Sequence, residues 1–141
     1  MAFHLDTSRT KYLHNYQAAL RHHDNIKPIR GRSPECRPIA ERNKTHFDIR
    51  KDTDNTITVR LYNTDIVTYY PPDHPTHPNQ IKVNLGEWTS VSTHDAIRAV
   101  AGVDITSTES KAWVRDHDGK HYLVPDEGVW LQVGMGISPE Y

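Results

Sequence analysis

The chain has 141 residues, and its 17 Lys and Arg nearly balance its 18 Asp and Glu. Apolar residues make up 35% of it, below the roughly 45–50% of an ordinary globular protein, so we expect one domain over residues 1–141 with a small core. A chain this short excludes a large multidomain enzyme, and no apolar run approaches the roughly 20 residues that span a bilayer. The single cysteine, Cys36, excludes an internal disulfide framework and fits a reducing cytosol.

The charges are unevenly distributed along the chain. Residues 1–51 hold eleven Lys and Arg against five Asp and Glu, whereas residues 52–141 are acidic. A basic N-terminal third can carry a local anion site. Alternatively, folding brings the two parts together and each neutralises the other. The near-neutral total excludes a protein that coats nucleic acid by non-specific attraction.

An N-terminal helix is predicted by apolar residues that recur at spacings of three and four. Its stripe consists of Tyr12, Leu13, Tyr16, Ala19 and Leu20. Thr7, Ser8 and Thr10 are the candidate N-caps. The helix ends near Asp24, since Pro28 soon follows and proline disfavours helical geometry in the residue before it.

Residues 27–45 are rich in arginine and proline and show no sustained period. We predict an ordered loop or arm here, and this segment is called the arm below. Loops of this length inside a compact domain are uncommon and are usually functional.

From His46 onward the hydrophobic period changes to two, which predicts strands. The first three are HFDIRK, TITVRLY and DIVTYY, joined by the turn sequences DTDN and NTD into an antiparallel meander. A Pro- and His-rich insertion over residues 71–80 precedes a further strand, QIKVNL.

The C-terminal half is predicted to begin with a short strand around GEWTSV and a helix from about Thr93 to Ala101. Ser92 is the expected N-cap and Gly102 the residue that ends this helix. A second meander follows, with strands KAWVRD, KHYLV and GVWLQVG and a hairpin turn at DHDG. The order of elements predicts an α+β fold, in which antiparallel β meanders accompany an N-terminal helix and one mid-chain helix.

Several motifs resemble a family of small uncharacterised proteins from tailed bacteriophages. They are Lys27 to Arg32 (KPIRGR) with Arg37-Pro38-Ile39 and Arg42, Leu61 to Tyr70 (LYNTDIVTYY), Gly86-Glu87-Trp88 and Val91-Ser92-Thr93. The resemblance covers residues from about 14 to 101. The chain departs from the family pattern at Glu87, where a second glycine is common, and in the inserted His74 and His77. The resemblance implies a phage context and no particular chemistry.

The arm carries the residues best suited to bind a partner. Arginine makes bidentate contacts to phosphate or carboxylate, the neighbouring prolines restrict the backbone, and the glycine lets the backbone approach a ligand closely. The predicted ligand-binding residues are Arg30, Arg32, Arg37, Arg42 and Lys27. The alternative is that these arginines tie the arm to the acidic C-terminal half through salt bridges.

The remaining chemistry-bearing residues favour neither a metal site nor catalysis. His74 and His77 are the best candidates for a metal pair, but no spacing in the chain matches a zinc signature. The chain has no GxSxG, P-loop, HExxH or CxxC motif. We therefore predict no catalytic residues and no cofactor.

The function predicted from the sequence is that of a non-enzymatic phage accessory protein in the host cytoplasm. Its arm is expected to bind nucleic acid or a nucleotide phosphate, and no membrane is expected as a partner. The alternative is a protein–protein inhibitor or modulator of a host or defence protein. A minor virion component is a third reading.

Overall fold

A seven-stranded antiparallel sheet forms the centre of the protein. The computed structural model describes residues 12–13, 15–31, 33–39, 47–62, 64–84, 91–108, 111–115, 121–124, 128–134 and 136–139. The helices are α1 (Tyr16–Asn25) and α2 (Val91–Ala101). The strands are β1 (Cys36–Pro38), β2 (Phe47–Lys51), β3 (Ile57–Leu61), β4 (Thr64–Tyr69), β5 (Gln80–Val83), β6 (Asp104–Thr108), β7 (Lys111–Arg115), β8 (His121–Leu123), β9 (Val129–Gly134) and β10 (Gly136–Pro139).

The chain leaves the main sheet once and returns to it. The strand order is β1-β2-β3-β4-β5-β9-β10, and a second sheet has the order β6-β7-β8. β9 pairs antiparallel with β5, so that Val129 lies opposite Val83. Helix α2 and the small sheet are therefore an excursion between two neighbouring strands of the main sheet.

The period of two along the strands buries one face of the main sheet. Ile49, Val59 and Val67 are partners across β2, β3 and β4, and all three are fully buried. They belong to one core with Ala19 of α1 and Ile97 of α2, so both helices pack on this face. The small sheet adds Ile105 and Val114 to the same core.

A fully buried tyrosine links the sheet to both helical regions. The hydroxyl of Tyr69 donates to the carbonyl of Leu13 at 2.6 Å, and the amide of Leu13 donates to the carbonyl of Val100 at 2.7 Å. Burial raises the pKa of Tyr69 well above its usual value, so the hydroxyl stays a donor. Leu13 is thus held between β4 and the last turn of α2.

The α+β prediction is confirmed, but several boundaries differ. Helix α1 begins at Tyr16, because the side chain of Asn15 caps it by accepting from the amide of Ala18 at 2.9 Å. Tyr12 and Leu13, assigned to the helix by their spacing, lie before it. Thr7, Ser8 and Thr10 lie outside the described residues.

The other helix, by contrast, begins earlier than predicted. It starts at Val91, so Ser92 lies inside α2 and is not its N-cap. Gly102 does follow the helix, with φ +70° and its amide bonded to the carbonyl of Arg98. The strand predicted around GEWTSV lies outside the described residues except for Val91, which begins α2. The DHDG turn lies entirely outside them.

Three strands and one strand pairing were also not predicted from the sequence. β1, β6 and β10 were not predicted, because β1 and β10 are short and β6 carries little apolar alternation. GVWLQVG was placed in the second meander, whereas β9 belongs to the main sheet. A short strand matches either sheet by pattern alone, and its place follows from long-range packing.

Replacement of Gly128 by Ala should destabilise the fold strongly. Gly128 has φ +96°, and a Cβ there would lie 2.7 Å from the carbonyl oxygen of Val83 in β5. Gly31→Ala is the control, since Gly31 has φ +83° but open space around it. Urea denaturation should show a loss of about 1–2 kcal/mol for Gly31→Ala from backbone strain alone, and a clearly larger loss for Gly128→Ala. Equal losses would contradict the close approach.

Stability should fall on acidification through His94 of α2. The side chain is 6% exposed, its Nε2 has no partner within the described structure, and burial lowers its pKa below 6.5. Below that pH the unfolded chain takes up a proton that folded His94 does not, so the free energy of unfolding decreases. The check is to measure the free energy of unfolding of the wild type and of His94→Leu between about pH 5 and about pH 7. The ordinary histidine pKa of about 6.5 lies in this range. The variant should lose part of the pH dependence.

Candidate anion-binding arm

The base of the arm is tied to the C-terminal end of α1. Nη1 of Arg37 donates to the carbonyls of His23 at 2.9 Å and Ile26 at 2.6 Å, and its Nε donates to the carbonyl of Pro34 at 2.6 Å. His23 and Ile26 lie where the last helical carbonyls lack intrahelical partners. The guanidinium satisfies them and places a positive charge at the negative end of the helix dipole.

Two histidines of α1 reinforce this attachment. Nε2 of His22 lies 2.9 Å from the carbonyl oxygen of Pro38, to which it donates. Nε2 of His23 lies 3.0 Å from the carbonyl oxygen of Glu35. His23 is only 1% exposed, so its ring is part of the interior of the protein. The arm is therefore held by side chains from α1 as well as by its own arginine.

A backbone bridge closes the arm into a short loop. The amide of Ile29 donates to the carbonyl of Cys36 at 3.0 Å, and the amide of Cys36 donates to the carbonyl of Ser33 at 2.9 Å. Ile29 and Cys36 are buried, whereas the intervening residues that the structure describes are exposed. Gly31 turns the chain at the tip with φ +83°. The result is a tip presented on a fixed base.

The predicted binding residues thus divide into two groups. Arg37 lies in β1 and is used to hold the arm, by backbone carbonyls and not by the acidic C-terminal half. Lys27 and Arg30 are exposed, and neither makes a hydrogen bond or ion pair within the described part of the chain. Arg32 and Arg42 lie outside the described residues.

A groove with a volume of about 540 Å³ borders the arm. It is lined by Ser33, Glu35, Cys36, Arg50, Lys51, Asp52, Thr53, Asp54 and Thr56. Hydrogen bonds from the side chain and amide of Thr56 lower the pKa of Asp54, which keeps that carboxylate ionised. Three carboxylates among these residues outnumber two cationic side chains, so the groove does not favour an anion.

Three cationic side chains on strands of the main sheet already have partners. Arg50 binds the carboxylate of buried Asp48 with Nε at 3.0 Å and Nη2 at 3.2 Å. Arg60 binds Asp65 at 2.7 Å. The ammonium group of Lys82 lies 4.5 Å from the centre of the Trp130 ring. These side chains are less available to an external anion than those at the tip of the arm.

His74 and His77 organise the 71–80 insertion. Nδ1 of His74 accepts from the amide of His77 at 3.0 Å, and Nδ1 of His77 lies 2.8 Å from Oε1 of Gln80. The His77 ring stacks on Trp130 with centroids 4.5 Å apart. Among the described residues, no group of three or more His, Cys, Asp or Glu is placed to hold a metal ion. The contact between His77 and Trp130 could not be predicted from the sequence, because the two residues are distant along the chain.

No family model, curated protein or solved structure matches this chain. In the described part, neither helix is both long and apolar enough to cross a membrane.

Replacement of Arg37 by Lys should loosen the arm although the charge is kept. A lysine cannot present donors in the fork that reaches carbonyls of His23, Ile26 and Pro34 together. We expect a loss of about 1–3 kcal/mol in the free energy of unfolding, since the carbonyls of His23 and Ile26 lose a charged donor in a partly buried site. Hydrogen exchange at the amide of Cys36 should accelerate more than exchange at Val59 in β3. Unchanged stability and exchange would contradict the anchoring role.

Proposed function

We propose that this protein is a non-enzymatic binding protein that contacts an anionic partner with the tip of its arm. The partner class is nucleic acid or a nucleotide phosphate. Arg30 at the tip and Lys27 at the start of the arm supply the charge, while Arg37 keeps the base of the arm in place. The resemblance of the sequence to tailed-phage proteins supports action in the cytoplasm of an infected host cell.

One contrast carries the proposal. Arg37 donates its hydrogen bonds within the structure, whereas Arg30 on the same arm is exposed and makes no hydrogen bond or ion pair in the described part of the chain. Ordering an exposed cationic side chain on contact with phosphate costs entropy, and a backbone that is already fixed reduces that cost. An anchored arm that carries exposed cations is therefore suited to bind an anion.

A second candidate function is a protein–protein modulator of a host or defence protein. The groove beside the arm favours it, because its lining contains the acidic Glu35, Asp52 and Asp54 together with the basic Arg50 and Lys51. A surface with charges of both signs complements a protein surface better than a polyanion. In that case binding to a host protein would persist after nuclease treatment. Recovery of the chain in purified virus particles would indicate a third function, that of a virion component.

Charge reversal at the tip tests the proposed function. Fluorescence anisotropy with a labelled single-stranded DNA oligonucleotide, and competition by ATP, would report binding. Arg30→Glu should weaken the affinity by at least about tenfold, since a phosphate contact becomes a repulsion. With two cations in contact, affinity should fall about sevenfold between about 50 and about 200 mM salt.

The matched control is Arg21→Glu, which changes the same charge at an exposed position of α1. It should retain the affinity within about twofold, because a screened charge outside the contact contributes little. Equal losses in both variants would indicate a general charge effect. No binding by the wild type to either probe would overturn the proposal.

A further inference from the structure

His23 lies where the helix and the arm meet, and both of its ring nitrogens face oxygen atoms. Nδ1 is 3.0 Å from Oδ1 of Asp24. Nε2 is 3.0 Å from the carbonyl oxygen of Glu35 and 3.6 Å from Oε2 of the same residue. The ring is almost completely buried, so water does not substitute for either partner.

Both partners are acceptors only. A backbone carbonyl never donates a hydrogen bond, and an ionised carboxylate does not either. The hydrogen bond from His23, followed by the charge of Lys51, lowers the pKa of Asp24, so this carboxylate is ionised near neutral pH. A ring that carries a proton on each nitrogen makes both bonds, whereas a neutral ring makes one.

The neutral ring would give up the bond to the arm. A hydrogen bond to ionised Asp24 is charge-assisted and stronger than one to a neutral carbonyl, so the remaining proton stays on Nδ1. The lone pair of Nε2 would then face the carbonyl oxygen of Glu35 at 3.0 Å, and the two would repel. Because the ring is buried, the arm is the part that moves.

Charged groups surround the ring on the elements packed against it. The carboxylates of Asp24 on α1 and Glu35 on the arm face its two nitrogens directly. Lys51 of β2 lies 3.5 Å from Asp24, and Arg37 of β1 donates to the backbone carbonyl of His23. The two carboxylates therefore contact the ring itself, whereas the two cations contact its partner or its backbone.

We propose that His23 is a proton-operated latch, which holds the arm against α1 while its ring carries both protons and releases Glu35 when one is lost. Its biological role rests on the proposed function, since a latched arm presents a pre-organised tip to an anion. The latch itself is a property of the free protein and requires no ligand.

Hydrogen exchange followed by NMR on the full chain tests the latch. Protection factors of the Ile29 and Cys36 amides are compared at about pH 5.5 and about pH 8, which bracket the ordinary histidine pKa of about 6.5. Referencing them to Val59 in β3 removes changes in global stability. We expect about a tenfold loss of relative protection at the higher pH, the scale of one buried group losing its partner.

Asp24→Asn is the decisive variant. An asparagine amide can donate to Nδ1 of a neutral ring, which leaves the Nε2 proton for the carbonyl of Glu35. The pH dependence of arm protection should then disappear. Asp65→Asn is the control, because Asp65 is exposed to the same degree as Asp24 (48% against 46%) and also binds a cation. It should keep the wild-type pH dependence.

Two results would overturn the latch. One is arm protection in the wild type that does not change with pH, and the other is an equal change in Asp24→Asn. Nitrogen-15 shifts of the His23 ring give a second readout, since both nitrogens should be protonated at the lower pH. Loss of oligonucleotide binding in Arg30→Glu reports on the proposed function alone, so the two ideas fail separately.

Discussion

A single guanidinium determines how the arm can act. Arg37 donates to the carbonyl of His23 in α1, to that of Ile26 just after this helix, and to that of Pro34 in the arm. Without these donors the carbonyls of His23 and Ile26 would be left unsatisfied in a partly buried site, at a cost of about 1–3 kcal/mol for each group. The same guanidinium joins the end of α1, which carries buried His23, to the arm that presents the tip.

The distribution of charge in the fold has a similar logic. The ion pairs among described residues join partners from the same part of the chain, such as Lys51 with Asp24 and Arg115 with Asp104. The basic N-terminal third is thus not neutralised by described contacts with the acidic remainder. Free cations are left at the arm, which is the one region where the sequence concentrates arginine between prolines.

Some of this organisation could be predicted from the sequence, and some could not. The period of two identified β2 to β5, because alternate residues such as Ile49 and Val59 must face a core. The division of the arginines was not predictable: Arg30 and Arg37 have similar neighbours along the chain, and only the approach of α1 distinguishes them. The start of α1 was misplaced because Leu13 has helical spacing but lies before the helix, where Tyr69 and Val100 hydrogen-bond to it. Pattern cannot reveal a hydrogen bond made across the fold.

The excursion between β5 and β9 has a consequence for folding kinetics. Strands β1 to β5 of the main sheet can form from pairs that are close along the chain. β9 pairs with β5 only after the segment from Asn84 to Gly128 has formed a closed loop. Closing a loop of this length costs conformational entropy. Contacts of this separation are slow to form. The meander from β2 to β5 is therefore expected to be the folding nucleus, and the C-terminal edge of the sheet the last part to dock.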